Sequence, residues 1–126
     1  MAGILIVDDD PEFVDMTRMV LEAHGHKVRS AGSSGEGLRA VEVERPDLII
    51  LDVMMESLGA GFSAAQQLRS GRFKDIPLLM VTGISGQTGF EFDPAKDQDF
   101  MPVDGYLEKP VKSTDLIEQV DKLLGK

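Results

Sequence analysis

The chain of 126 residues is the length of one ordinary domain, enough for one hydrophobic core and too little for two. Its formal net charge of −9, from 13 basic and 22 acidic side chains, repels a phosphate backbone and an anionic bilayer surface alike, so neither nucleic acid nor membrane is an expected partner. The absence of cysteine excludes disulfides, thiolate zinc sites and thiol catalysis, in keeping with a reducing, cytoplasmic setting.

The chain opens on Met1, Ala2 and Gly3, without the basic and long apolar regions of a signal peptide. The quartet Ile4, Leu5, Ile6 and Val7 then reads as a strand buried on both faces. A helix is expected over 11–24. Asp9 or Asp10 is its N-cap, Pro11 its first turn, Phe13, Thr17, Val20 and Leu21 its inner face, and Gly25 its exit. The alternating stretch 26–31 suits an edge strand. Ser33 and Glu36 have the spacing of a capping box for a helix reaching about Glu44, with Leu38, Val41 and Val43 inward. Pro46 stops it.

The second quartet, Leu48, Ile49, Ile50 and Leu51, is another buried strand. A helix over 61–70 follows, with Phe62, Ala65 and Leu68 inward and Gly71 at its end. Leu78, Leu79, Met80 and Val81 form the third quartet. The stretch 83–104 is broken by Gly83, Gly86, Gly89, Pro94 and Pro102, leaving room for only a short helix around 94–100. Its apolar Phe90, Phe92, Phe100 and Met101 predict an ordered, packed segment rather than a free loop. A short strand over 105–107 and a helix over 113–124 complete the chain. Leu116, Ile117, Val120, Leu123 and Leu124 make a stripe along that helix. Strands alternating with helices imply a parallel sheet covered on both faces by right-handed crossovers.

Each apolar quartet runs directly into a polar residue: the first into Asp8, Asp9 and Asp10, the second into Asp52, the third into Thr82. In an open parallel sheet the ligand site lies beyond the carboxyl ends of the strands. One edge should therefore gather carboxylates, a hydroxyl and, after the last strand, Lys109. Carboxylates so close repel by roughly 4 kcal/mol per pair at 4 Å and an effective dielectric of 20. Protonation or a bound cation relieves this, and hard oxygen donors with open water positions suit Mg²⁺. A carboxylate nucleophile, a divalent metal, a lysine and a hydroxyl together make a phosphoryl-transfer site.

The segments ILIVDDDPEF (4–13), PDLIILDVMM (46–55), IPLLMVTG (76–83) and GYLEKPV (105–111), in this order, resemble the receiver domain of bacterial two-component response regulators. The resemblance spans essentially the whole chain, 1–126, as a single receiver domain. It implies a flavodoxin-like (βα)₅ fold with strand order 2-1-3-4-5 (an order for which the best-known example is a chemotaxis receiver). It implies Asp52 as phosphoacceptor and Mg²⁺ held by Asp9, Asp52 and the backbone carbonyl of Met54, with Asp8 assisting through water. It implies Thr82 and Lys109 on the phosphoryl group, a cis Lys109–Pro110 bond, and Thr82 and Tyr106 as switch residues. The partners it implies are a sensor histidine kinase or phosphotransfer protein and a downstream protein of unknown identity, with a homodimer compatible.

The chain departs from the family in three places. The loop from Glu56 to Gly61 lacks the usual Pro and Asp-Gly pair, Gly83 replaces the usual alanine, and the stretch from Thr82 to Lys109 is longer than usual. The fourth helix is thus expected to be short or irregular and the output surface remodelled. Neither Met54 nor Ile84 can orient an attacking water, which predicts slow self-dephosphorylation.

Plainer readings remain for single residues. Asp9 or Asp10 serves equally as a helix N-cap, and plain packing explains Tyr106 as well as a switch does. Three other functions fit the pattern less well. Asp8 and Asp10 supply the D-x-D of a haloacid dehalogenase-type phosphatase, but Asp115 and Asp121 fall on the last helix where that family needs a late acidic pair at a strand end. A receiver that has lost phosphorylation and acts as a binding module would not need Asp9, Asp52, Thr82 and Lys109 together. A flavin binder of flavodoxin type fits least, because Asp8, Asp9 and Asp10 would repel the flavin phosphate.

Overall fold

A computed structural model describes residues 2–52, 75–82, 104–108 and 111–125 of the chain. The elements in order are β1 (Gly3–Val7), α1 (Pro11–Ala23), β2 (Lys27–Ala31), α2 (Ser34–Val43), β3 (Leu48–Asp52), β4 (Leu78–Thr82), β5 (Gly105–Glu108) and α3 (Ser113–Leu123). All four strand pairings are parallel, in the order β2-β1-β3-β4-β5. This is the expected flavodoxin-like arrangement. The helix expected over 61–70, the loop 56–61 and the stretch 83–103 lie outside the described residues.

The three apolar quartets are the interior strands because each is covered on both faces. β3 is buried at every position, and Ile4 to Val7 of β1 and Leu78 to Val81 of β4 are buried as well. β2 is an edge, and its Lys27 and Ser30 are exposed. Alternation along the strands sends Ile4, Ile6, Leu48, Ile50, Leu79 and Val81 to one face. There they form the main core with Phe13 and Leu21 of α1 and Leu116 and Val120 of α3. α2 covers the other face. Gly37 rests on the Val7 isopropyl group there, and a Cβ at that glycine would stand 2.8 Å from Val7 Cγ2.

Local chemistry sets the helix ends. Asp10 is the α1 N-cap, its side chain accepting from the Glu12 N–H, with Pro11 in the first turn. The exit is a Schellman turn. The His26 N–H donates to the Leu21 carbonyl and the Gly25 N–H to the Glu22 carbonyl, and Gly25 adopts φ 86°. At α2 the Ser33 side chain accepts from the Glu36 N–H, one half of the expected capping box. The Glu36 carboxylate reaches past Ser33 and accepts from the Gly32 N–H instead.

One expected core residue is not in the core. Val43 is 84% exposed, whereas Val41 is buried. Two residues turn an α-helix by about 200°, so the two valines stand on opposite sides, and the helix ends at Val43.

Candidate functional site

The site grows out of the register of the two central strands. Val7 of β1 pairs with Leu51 of β3, so Asp8 and Asp52 are the residues that follow matched positions on neighbouring strands. Alternation places both on the face of the main core, and both are buried, at 3% and 4% exposure. Asp9, one residue on, is exposed. Carboxylate oxygens of Asp8, Asp9 and Asp52 lie within 4.8 Å of one another. Residues more than 40 positions apart in sequence thus meet at the carboxyl edge of the sheet, as the apolar quartets ending in acids had implied.

The backbone fixes the acidic turn. The Asp8 N–H donates to the Ala31 carbonyl at 3.0 Å, carrying the β1–β2 ladder one residue past β1. Asp8 Oδ1 accepts the Asp10 N–H at 2.8 Å, and Asp10 Oδ1 accepts the Glu12 N–H at 3.1 Å. Asp10 therefore caps α1 and stands outside the three-carboxylate cluster. A phosphatase of D-x-D type would use Asp8 and Asp10 together. The carboxylate gathered with Asp8 is instead that of Asp52.

Three carboxylate oxygens within 4.8 Å repel one another by about 3 kcal/mol per pair at an effective dielectric of 20, which a small divalent cation would reverse. The donor set is all hard oxygen, with neither sulfur nor imidazole. That chemistry suits Mg²⁺, Mn²⁺ or Ca²⁺ rather than a thiophilic metal.

The next strands continue the edge. Asp52 is level with Val81 of β4, and Thr82 pairs with Glu108 of β5. The Thr82 backbone thus lies one residue beyond the level of Asp52, and Lys109 directly follows the residue paired with it. Tyr106 is a β5 residue paired with Met80. Lys109, Pro110, Met54, Glu56 and Ile84 lie outside the described residues, as do the side chains of Thr82 and Tyr106.

Asp10, one of the two expected N-cap candidates, also holds Asp8 by donating its N–H to Asp8 Oδ1. Arg29 on β2, which carried no sequence signal, lies away from the site and donates from its guanidinium to the carbonyls of Ala40 and Glu44 at the end of α2. Among the described residues no helix is long and apolar enough to cross a membrane.

A parallel 2-1-3-4-5 sheet with a carboxylate cluster at its carboxyl edge is the arrangement expected of a receiver-type α/β domain. Comparison with known proteins gives the family. The chain matches the response regulator receiver domain family over residues 4–121 and belongs to it. It is 34% identical to protein PilH of Pseudomonas aeruginosa, across 99% of both chains. It is 40% identical to the DNA-binding dual master transcriptional regulator RpaA of Synechocystis, across 98% of this chain but 49% of that protein. The fold superimposes on the crystal structure of a putative response regulator from Chloroflexus aurantiacus with a TM-score of 0.84 at 31% identity, covering 99% of this chain and 98% of that one. The chain is a receiver domain of two-component signalling, a phosphoacceptor switch rather than a conventional enzyme.

Proposed function

We propose that Asp52 is the phosphoacceptor, and that Asp8, Asp9 and Asp52 hold the Mg²⁺ that phosphorylation requires. The observation that carries this is the meeting of one oxygen from each of these carboxylates within 4.8 Å at the carboxyl edge of the sheet. Mg²⁺ bound there would supply the positive charge that lets an anionic nucleophile approach an anionic phosphoryl group.

The chain's own residues do the rest. Asp52, at the end of a fully buried strand, is held in a fixed position. A carboxylate oxygen of Asp52 attacks the phosphorus of a phosphohistidine on a partner kinase or phosphotransfer protein. The P–N bond breaks, the leaving imidazole nitrogen takes a proton, and an acyl phosphate remains on Asp52. The family resemblance gives Thr82 and Lys109 the phosphoryl oxygens, the Met54 carbonyl a place on the metal, and Tyr106 with Thr82 the conformational response. The chain would catalyse only its own phosphorylation and dephosphorylation. A downstream protein would read the phosphorylated state.

The test is incubation of the protein with acetyl phosphate and Mg²⁺, followed by intact-mass measurement. The parent should gain one phosphoryl group, and Asp52→Ala and the Mg²⁺-free sample should gain none. Phosphorylation of Asp52→Ala would overturn the assignment. Continuous release of phosphate that depends on Asp8 and Asp10 would point to a phosphatase.

A further inference from the structure

The run Asp8, Asp9, Asp10 puts three acids in a row, yet only the first two share the cluster with Asp52. The third is tied differently at both ends. Its N–H donates to Asp8 Oδ1 at 2.8 Å, its carboxylate accepts the Glu12 N–H at 3.1 Å, and its carbonyl accepts the Val14 N–H at 3.0 Å. Its backbone is extended, at φ −93° and ψ 105°, so the chain changes direction at this one residue from β1 into α1.

We propose that Asp10 is a positioning residue for the metal site: by capping α1 it fixes the peptide N–H that orients the Asp8 carboxylate toward Asp52. The proposal rests on the reading of Asp8, Asp9 and Asp52 as the Mg²⁺ site and deepens it. The mechanism is mechanical. Asp8 is 3% exposed, so little water can replace an N–H that drifts away. That N–H stays in place only while the first turn of α1 is closed. Pro11 has no N–H to contribute, which leaves the Glu12 N–H as the first donor of the helix, and the Asp10 side chain takes it. Without the cap the first turn frays, and the Asp10 N–H loses its fixed direction.

Two rival roles for the same side chain predict different outcomes. If Asp10 acts through its negative charge, any neutral replacement weakens cation binding equally. If it acts through the cap, replacements that cap well preserve binding, because Ser, Asn and Asp are nearly equivalent N-caps and Ala is a poor one.

The experiment is calorimetric titration of Mg²⁺ into the full chain and its Asp10→Ala, Asp10→Ser and Asp10→Asn variants, well below their melting temperatures. Asp10→Ala should bind Mg²⁺ about three- to tenfold more weakly, the scale of a lost N-cap. Asp10→Ser and Asp10→Asn should stay within about twofold of the parent, the limit set by their equivalence as caps. Phosphorylation by acetyl phosphate should reach the parent's plateau in all three once Mg²⁺ is saturating, so that the defect lies in affinity alone. Equal weakening in all three variants, or none in Asp10→Ala, overturns the proposal. Should Asp10→Ala not fold, the Ser and Asn variants decide it: parental affinity supports the cap, and matched weakening refutes it. A parent that binds no Mg²⁺ would instead refute the metal site itself.

Discussion

Asp104 and Leu78 hold each other twice: the Leu78 N–H donates to Asp104 Oδ2 at 2.8 Å, and the Asp104 N–H donates to the Leu78 carbonyl at 2.8 Å. The same device recurs two strands away. Asp47 Oδ2 accepts the Gly3 N–H at 2.7 Å, and the Asp47 N–H donates to the Gly3 carbonyl at 2.7 Å. Each aspartate stands one residue before a strand, β5 or β3, and ties it to the start of its neighbour, β4 or β1.

Burial separates the two. Leu78 is 1% exposed, and removing its acceptor strands a buried N–H. Asp104→Ala should therefore cost about 1–3 kcal/mol, and Asp104→Asn, which keeps an oxygen, less than about 1 kcal/mol. Gly3 is half-buried, so water can replace the lost partner. Asp47→Ala should cost less than about 1 kcal/mol. Urea unfolding of the three variants checks the order, and equal losses for Asp104→Ala and Asp47→Ala would contradict it.

These clamps mark where sequence reasoning stops. The quartets, their buried character and the polar residue after each were legible because they are local patterns with a single physical reading. The meeting of Asp8, Asp9 and Asp52 followed from where parallel strands end. The clamps join residues 44 and 26 positions apart through side chain and backbone, and no local pattern announces them. Val43 was misplaced for the opposite reason. A valine two residues beyond a buried Val41 looks like core until the helix turn is counted. The sequence leaves the N-cap between Asp9 and Asp10, and only the bond from the Glu12 N–H assigns it to Asp10.

Thr17 gives a prediction of opposite sign. It is fully buried on the inner face of α1, and among the described residues its hydroxyl has no hydrogen-bond partner. Threonine and valine are nearly isosteric and have similar helix propensities, so Thr17→Val removes only the stranded hydroxyl. It should stabilise the fold by about 1 kcal/mol and raise the melting temperature by roughly 2–5 °C. Thr17→Ala also removes the hydroxyl but leaves a void, and should destabilise. A melting temperature lowered by Thr17→Val would mean that the hydroxyl has a partner in solution.

Arg29 links the edge strand to α2. Its guanidinium donates to the Glu44 carbonyl and to the Ala40 carbonyl, which also accepts the Glu44 N–H, at the negative end of the helix dipole. Methionine keeps the aliphatic stem and loses the fork. Arg29→Met should cost about 1–2 kcal/mol. It should speed amide exchange at 40–44, with α1 unchanged. Equal protection of α2 in both proteins would remove Arg29 from the account of that helix end.

The carboxylate cluster itself predicts an inversion of stability. Without a divalent cation, Asp52 is buried beside two acidic neighbours, and each pair within 4.8 Å opposes folding by about 3 kcal/mol before screening and relaxation reduce it. Asp52→Asn removes one charge from two such pairs while keeping the side-chain shape. In chelator and low salt it should therefore be more stable than the parent, by about 1–3 kcal/mol. Mg²⁺ reverses the order. At one hundred times its dissociation constant it should add about 2.7 kcal/mol to the parent and far less to Asp52→Asn, whose cluster has lost a ligand charge. Two melting curves per protein, with chelator and with Mg²⁺, measure both effects. If Asp52→Asn melted below the parent in chelator, these carboxylates would be held by partners that outweigh their mutual repulsion. The cation would then be a passenger in the fold rather than the counter-charge that its acidic edge requires.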